Sequence, residues 1–307
     1  MIKDAEGREW KKPKDIGLAF CNFYQELFSA GETRRIVESL QYVEPRVTAE
    51  MNAMLLKVYN TEEVELALSQ MHLLKSPSPN GFTACFYQKS WATVKTKVCV
   101  AVLDFLNNGN SDNELNVTHT ALIPKKKNPS VLADYKPISL CNVLYKLIAK
   151  VIANRLKNVL AIIISPSQSA FVPGRLITDN VLVAFEALHT MDRKLKGMEG
   201  YMALKLDMSK AYDRVEWNYL EAVMRKLGFD DHWVQLAMTC VRTVSFSVLI
   251  NGQPHNNITP SWGLRQRGPL SLYFFILCVE GLSSLLNQAK VDRSITGIPI
   301  TKGGYAD

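Results

Sequence analysis

The chain has 307 residues, 47% of them hydrophobic, and carries 36 Lys and Arg against 29 Asp and Glu, for a net charge of +7. This apolar content can fill a core, which excludes wholesale disorder, and the length suits one large domain or two modest ones. The positive balance mildly favours a polyanionic partner such as nucleic acid, although many enzymes are equally basic.

Neither the cysteines nor the first residues point to an exported protein. The opening segment is charged and lacks the apolar core of a secretory signal, and no apolar stretch approaches the roughly 20 residues of a membrane span. The six cysteines form no C-x-x-C pair, so we expect free thiols rather than a structural zinc site, in a reducing compartment. The sequence therefore predicts a nuclear or cytoplasmic protein that does not contact a membrane.

Helical periodicity dominates the first third of the chain. Apolar residues recur at helical spacing over residues 14–30, 61–72 and 83–107, which predicts three helical segments. Asn60 is placed to cap the second of them, because Glu63 follows it at the spacing of a capping box.

Strand and helix signals then alternate. Residues 121–124 predict a short strand, and residues 140–160 predict a strong helix with one apolar stripe. Lys146, Lys150 and Lys157 lie on another face of that helix. On periodicity alone, the preferred interpretation of these lysines is a solvated helix face.

A strand predicted over residues 201–206 ends at Asp207. Met202, Leu204 and Leu206 alternate with polar or smaller residues and would point to one side of the strand. Asp207 falls on the opposite side, so the strand would present a carboxylate on its non-apolar face.

The last third of the chain predicts helices around a hairpin. The first helix ends at Gly228, and Asp231 is placed to cap the second. Residues 244–250 predict a strand that Asn251-Gly252 turns back on itself, and residues 270–286 predict a final helix. Helices alternating with a hairpin-rich sheet indicate an α+β fold.

Asp207 is the candidate for metal chemistry. Nucleotidyl transfer to a 3′ hydroxyl uses two divalent metals held by carboxylates, and Mg²⁺ prefers oxygen ligands. An aspartate at the end of a strand suits that role. By itself the feature is weak, because an aspartate in this position is more often a helix N-cap or a surface carboxylate.

Five blocks of sequence stand in a definite order along the chain. They read KSPSPNGFTACFY at 75–87, DYKPISL at 134–140, QSAFVPG at 168–174, LDMSKAYDRV at 206–215 and GLRQRGPLS at 263–271. In this order they resemble the motifs of reverse transcriptases from non-LTR retrotransposons of the long-interspersed-element type common in plant genomes. The resemblance covers nearly the whole chain, and five ordered blocks make it highly specific.

This resemblance implies a right-hand polymerase fold with fingers and an incomplete palm, an antiparallel palm sheet with packed helices, and no thumb. It implies a helical N-terminal extension over residues 1–110, fingers over 111–200 and a partial palm over 201–307. An RNA template, a DNA primer and a deoxynucleoside triphosphate would be the partners, and two Mg²⁺ ions the cofactors. The oligomeric state stays open.

The same resemblance implies roles for single residues. Asp207 would be a catalytic metal ligand, and Asp307 a second one if the terminal Tyr305-Ala306-Asp307 belongs to the family's metal motif rather than matching it by accident. Tyr212 would exclude a 2′ hydroxyl by its bulk. The other assigned residues fall into two groups: Lys125, Lys136 and Gln266 would contact the nucleotide, and Lys126, Lys146, Lys150, Phe171, Gly174 and Asn180 the nucleic acid.

Several positions depart from the family's motifs. Arg267 stands where a glycine is usual, and glycine in such a loop usually serves a special backbone geometry. Gly268 replaces an aspartate, and Lys136 replaces an arginine and so loses its bidentate fork. The second metal-binding aspartate and the thumb would be missing from this fragment. We therefore expect negligible polymerase activity, and marginal stability or aggregation through an exposed strand edge and apolar helix face.

Two alternatives remain open at this point. A non-catalytic RNA- or DNA-binding remnant would keep the fingers and the basic helix without the chemistry. A group II intron maturase shares the polymerase core, although the KSPSPNGF block and the GLRQ loop fit the retrotransposon enzymes better.

Overall fold

The computed structural model describes residues 2–4, 6–29, 35–73, 77–110, 113–193, 201–301 and 304–306. Its helices are α1 (Pro13–Leu27), α2 (Ile36–Ser39), α3 (Ala49–Leu56), α4 (Thr61–Ser69), α5 (Ala84–Lys89), α6 (Trp91–Asn108), α7 (Val143–Ile163), α8 (Ile177–Arg193), α9 (Trp217–Leu227), α10 (Asp231–Arg242) and α11 (Ser271–Val291). Its strands are β1 (Ile2–Lys3), β2 (Glu9–Trp10), β3 (Val117–Pro124), β4 (Tyr135–Cys141), β5 (Ser245–Ile250), β6 (Gln253–Ile258), β7 (Ile298–Thr301) and β8 (Gly304–Ala306).

Local sequence signals set several helix ends as predicted. Asn60 Oδ1 accepts a hydrogen bond from Glu63 N at 3.0 Å, and Glu63 Oε2 accepts one from Asn60 N at 3.1 Å, which completes the capping box of α4. Gly228 ends α9 with a φ of 93°, in the left-handed region where glycine carries no Cβ penalty. The predicted helix over 83–107 is divided at Ser90 into α5 and α6.

The cap of α10 lies one residue earlier than predicted. Asp230 is the N-cap, and its Oδ1 accepts a hydrogen bond from His232 N at 2.8 Å, whereas Asp231 is the first helical residue. Both aspartates are compatible with a helix start, and the residue with extended backbone takes the cap position.

One four-stranded sheet joins elements that are far apart in sequence. Its order is β4-β3-β5-β6, with β3–β4 and β5–β6 antiparallel. Asn251 and Gly252 both have positive φ, as a two-residue hairpin of the predicted kind requires. The α+β class is confirmed, but this sheet is not purely antiparallel, because β3 and β5 run parallel.

The core is built around α7. Its apolar residues Leu147, Ile148, Ile152, Leu156 and Leu160 are completely buried, as the predicted stripe requires, and α4 and α6 pack against the helix. The prediction of a solvated basic face on this helix is wrong at Lys146. Lys146 is buried, because α7 is covered on more sides than a surface helix would be. All six cysteines are free thiols, as predicted, and four of them are buried.

A buried arginine fixes α7 to the preceding helices. The Arg155 guanidinium donates to both carboxylate oxygens of Glu63, at 2.7 and 2.8 Å, and to the backbone carbonyls of Leu55, Lys57 and Val58. The arginine side chain is 8% exposed, so the ion pair is shielded from solvent on the arginine side. Burial is the largest single effect and raises the pKa of Glu63, but the hydrogen bonds from Arg155 and from Asn60 N and the charges of Arg155 and Lys57 together lower it below the usual value.

Helix α11 is long and apolar enough to cross a membrane by length and composition alone, contrary to the expectation that no apolar stretch approaches that length. It carries Glu280, which is fully buried. The Glu280 carboxylate accepts hydrogen bonds from Arg46 Nη1, Ser165 N and Ser165 Oγ, at 2.8, 3.0 and 2.8 Å. This network joins the middle of α11 to the end of α7.

The strand predicted over residues 201–206 is wrong. Residues 201–208 form no strand, and Met202, Leu204 and Leu206 are 82%, 72% and 65% exposed. A strand needs a hydrogen-bonded neighbour, and the four-stranded sheet ends at β4 and β6 without reaching this segment. The apolar residues of the alternating pattern therefore lie on a surface that no other part of the described chain covers.

Candidate functional site

Two segments that are distant in sequence lie side by side. The aspartate turn, defined here as residues 210–216, contains a short 3₁₀ turn. The glutamine loop, residues 262–267, leads into α11. They come from two of the five blocks that carry the family resemblance, so their contact is the first test of those blocks as one site.

Backbone hydrogen bonds hold the two segments together. Leu264 N donates to Tyr212 O at 2.7 Å, and Gly263 N donates to Val215 O at 2.7 Å. The Trp217 indole adds a third bond, because its Nε1 donates to Gly263 O at 2.8 Å. The path of the loop is therefore set by the backbone of the turn, independently of most side chains.

Gln266 and Asp213 make the side-chain contact across this pair of segments. Gln266 Nε2 lies 3.0 Å from Asp213 Oδ1 and 3.3 Å from Oδ2, and donates to the carboxylate. Asp213 is 6% exposed, while Gln266 is half-buried. The glutamine thus lies between a buried carboxylate and the surface of the molecule.

Burial and neighbouring charges act on Asp213 in opposite directions. Burial raises the pKa of Asp213 and is the largest effect. The Gln266 hydrogen bond and the charges of Lys210, Lys125 and Lys136 lower it, without cancelling the effect of burial. Three lysines from different elements therefore lie near enough to act on one buried carboxylate, and they give this region a positive potential.

Arg265 anchors the other side of the glutamine loop. Its guanidinium stacks over the Tyr145 ring at 4.2 Å, and its Nη2 donates to the side chain and the backbone carbonyl of Asn116. Nε and Nη1 of the same group are buried without a protein partner, and Arg265 and Asp213 both line a cavity of about 40 Å³. A cavity of this size has room for water molecules that would satisfy these donors.

Asp207 does not line the cavity beside Asp213 but a separate groove. It is exposed and lines a groove of about 560 Å³ together with residues of α2, α9 and α11, including Tyr219 and Cys278. No cluster of three or more His, Cys, Asp or Glu that could hold a metal occurs in the part of the chain that the structure describes. Asp307, the predicted second ligand, lies outside the described residues. The role of Asp207 as a metal ligand stays a prediction.

Tyr212 packs against the helix that follows the glutamine loop. Its ring stacks on Phe275 of α11 with a centroid distance of 5.1 Å, and the side chain is half-buried. Burial raises the pKa of its phenol, so the ring is neutral near pH 7. Phe275 therefore packs against one face of the Tyr212 ring. The role of Tyr212 in excluding a 2′ hydroxyl stays a prediction.

The predicted fingers lysines have different surroundings. Lys125 Nζ donates to Ala133 O at 2.8 Å, and Lys126 pairs with Asp134 at 3.0 Å. Lys136 is exposed on β4. Lys125 and Lys126 thus help to hold the connection between β3 and β4, while all three keep their charges at the surface. Lys150 of α7 is half-buried.

The QSAFVPG block forms a loop that presents an aromatic ring. Phe171 has a φ of 62°, in the left-handed region that a bulky residue rarely adopts, and is 62% exposed. Gly174 also has positive φ. Asn180 Oδ1 accepts from Ser169 Oγ at 2.8 Å, and its Nδ2 donates to Ser167 O at 3.3 Å, so this asparagine supports the loop.

Sequence reasoning missed the structural role of Arg175. Its guanidinium donates to the carbonyls of Ala161 and Ile164, at 2.8 and 3.0 Å, and of Ser165 and Gln168, at 2.6 and 2.7 Å. These bonds satisfy the free carbonyls at the end of α7. The sequence offered one signal for this role, namely a cationic residue after the last turn of a strongly predicted helix.

The comparisons with known proteins identify the same family that the blocks resemble. Residues 123–307 match the family described as "Reverse transcriptase (RNA-dependent DNA polymerase)". The "Transposon TX1 uncharacterized 149 kDa protein" of Xenopus laevis is 31% identical over 284 residues, which cover 92% of this chain. The "Retrovirus-related Pol polyprotein from type-2 retrotransposable element R2DM" of Drosophila melanogaster is 27% identical over 238 residues, 76% of this chain.

This chain spans 22% of the length of each of those two relatives. Among solved structures, a "Partial Cas6-RT-Cas1--Cas2 complex" is similar over 78% of this chain and 35% of that chain, with 13% identity and a TM-score of 0.41. That score is too low to compare the two structures residue by residue.

Proposed function

This chain belongs to the reverse transcriptase (RNA-dependent DNA polymerase) family, as a reverse transcriptase domain of non-LTR retrotransposons, and we propose that its part in the reaction is to bind the primer–template and the incoming nucleotide. The nucleotide would lie against the glutamine loop, Lys125 at the end of β3 and Lys136 on β4. The RNA–DNA duplex would follow the exposed surface that carries Phe171. The transposon relatives favour this proposal over a group II intron maturase.

The contact between Gln266 and Asp213 is the observation that carries the proposal. It joins two blocks of the family at a point where Lys125, Lys136 and Lys210 also act on the same carboxylate. Cations around a loop with a fixed hydrogen-bonding side chain can bind a triphosphate and orient the rest of a nucleotide.

Members of this family use divalent metal ions, which would activate the attacking hydroxyl and stabilise the leaving pyrophosphate. The described residues do not fit such a pair of ions. Asp207 is the predicted ligand, and the described part of the chain offers no acidic cluster around it. We therefore propose that these residues bind substrates without extending a primer, and we assign no step of the reaction to a metal here.

Equilibrium filter binding of an RNA template annealed to a DNA primer tests the binding. Affinity should fall steeply as salt rises, because lysines that contact phosphates release counterions. The double variant K125E/K136E should lose at least about tenfold in affinity at moderate salt, while K226E, at an exposed lysine near the end of α9, should bind like the wild type. Binding that does not depend on salt, or an equal loss in both variants, would contradict the proposal.

Primer extension on the same duplex, with Mg²⁺ or Mn²⁺, tests the chemistry. We expect no incorporation above that of D207N, since one exposed carboxylate holds two divalent ions poorly. Incorporation by the wild type that D207N abolishes would overturn the separation of binding from extension, and would establish Asp207 as the metal ligand.

A further inference from the structure

We infer that Asp213 is a positioning residue, whose buried carboxylate sets the orientation of the Gln266 carboxamide toward a bound nucleotide. This inference rests on the proposed function. Asp213 is too deeply buried to contact the nucleotide itself, so it acts through Gln266.

The chemistry of the two side chains fixes the direction of the amide. An ionised carboxylate only accepts hydrogen bonds, whereas a carboxamide donates at one end and accepts at the other. Gln266 must therefore turn its nitrogen toward Asp213, as the 3.0 and 3.3 Å contacts show. Its Oε1 then faces away from Asp213 and is presented as an acceptor for a donor group of the ligand.

The backbone of the loop is already fixed around Gln266, because Gly268 N donates to Arg265 O at 3.2 Å and closes a turn over this residue. Leu264 is hydrogen-bonded to the aspartate turn, and Arg265 is anchored on Tyr145 and Asn116. The remaining freedom of Gln266 is rotation of its own side chain, and the Asp213 carboxylate restricts that rotation. A binding group held in this way loses less entropy when a ligand arrives.

Neighbouring positive charges favour the ionised form of Asp213, which is the form that accepts the hydrogen bond from Gln266. Lys210 belongs to the aspartate turn, Lys125 follows β3 and Lys136 lies on β4. All three favour the ionised carboxylate. Tyr24 of α1 also lies near Asp213. Burial and the Asp213 charge together raise the pKa of the Tyr24 phenol. The Tyr24 phenol therefore stays protonated near pH 7 and places no second negative charge beside Asp213.

A reciprocal exchange of the two side chains tests the inference. D213N and Q266E should each weaken the binding of Mg²⁺–dTTP to the protein–primer–template complex by about tenfold, since a hydrogen bond to a charged group is lost. In D213N/Q266E, the new amide can donate to the new carboxylate, and binding should recover to within a few-fold of the wild type. D104N is the matched control, because Asp104 accepts from the amides of Asn108 and Asn110 on an exposed part of the chain.

The side-chain amide resonance of Gln266, assigned by its absence in Q266E, gives a readout that a merely structural role would not move. It should shift as Asp213 titrates in the wild type and stay constant in D213N. Nucleotide affinity of D213N equal to that of the wild type, or additive losses in the double variant, would overturn the inference. A wild-type protein that binds primer–template but no nucleotide would instead overturn the proposed function.

Discussion

A Cβ atom on Gly263 would lie 3.1 Å from the backbone carbonyl oxygen of Asp213. Gly263 also has a φ of 87°, in the region that favours glycine. The absence of a side chain therefore serves two purposes, since it permits the backbone angle and lets the glutamine loop approach the aspartate turn. The proposed nucleotide site depends on this close approach.

Replacement of Gly263 by alanine should destabilise the protein by about 2 kcal/mol or more, through backbone strain and the contact with Asp213. Urea denaturation measures the change in the free energy of unfolding. G109A is the control, because Gly109 has a similar φ of 71° but open space around its Cα. It should cost only the conformational part, about 1 kcal/mol. Equal losses in the two variants would show that the contact with Asp213 has no effect.

Replacement of Arg267 by glycine should stabilise the protein by up to about 1 kcal/mol. Arg267 has a φ of 65° and is exposed, so the substitution relieves backbone strain without removing a buried contact. R267A keeps the strain and should leave the midpoint of urea unfolding nearly unchanged. If alanine stabilised the protein as much as glycine does, the side chain rather than the backbone angle would be responsible.

Replacement of Arg155 by methionine should cost about 3–5 kcal/mol, because Glu63 and three backbone carbonyls lose a buried partner. The same substitution at Arg225, which pairs with Glu221 on the surface of α9, should cost about 0.5 kcal/mol or less. Thermal unfolding of both variants makes the comparison. A small loss in R155M would mean that the buried pair contributes little beyond the packing that methionine retains.

Asp134 should make stability depend on acidity. Its carboxylate accepts from Ser130 N and Val131 N at 2.8 and 3.0 Å, and these bonds, with the Lys126 ion pair, lower its pKa to about 2. A lowered pKa in the folded state stabilises the protein above the unfolded value of 3.8, and this stability is lost as pH falls toward 2. The wild type should therefore exceed D134N in stability at pH 6, and the difference should shrink between pH 4 and 2. A difference that stays constant with pH would contradict this assignment.

Helix α8 should promote self-association. Five of its apolar residues are more than half exposed, namely Ile177, Val181, Leu182, Phe185 and Leu188. A contiguous apolar surface of this kind favours aggregation. F185E should lower the concentration dependence of light scattering, whereas V37E, at an exposed valine on the short helix α2, should not. A wild-type protein that remains monomeric at high concentration would contradict the prediction.

Elements with local causes could be predicted from sequence. The capping box of α4 and the Asn251-Gly252 hairpin depend on residues within a few positions of each other. The departure at Arg267 also indicated an unusual backbone angle, and the structure places that residue in the left-handed region. In each case the energy that decides the conformation is short-range.

Features that depend on distant partners could not be predicted in this way. Residues 201–206 alternate like a strand, but pairing needs a neighbouring edge that periodicity does not reveal. Lys146 has the spacing of a surface residue, yet the covering of α7 buries it. The contact of Gln266 with Asp213 joins residues 53 positions apart, and the family motifs brought both segments to attention without showing their pairing.

The proposed nucleotide site consists of the glutamine loop and the lysines near Asp213. Lysine acetylation read by mass spectrometry, with and without Mg²⁺–dTTP on the primer–template complex, shows whether the nucleotide occupies this site. We expect the nucleotide to protect Lys125, Lys136 and Lys210, all exposed in the free protein, while Lys226 reacts equally in both states. Unchanged reactivity at the three lysines, in a complex shown to bind nucleotide, would contradict it.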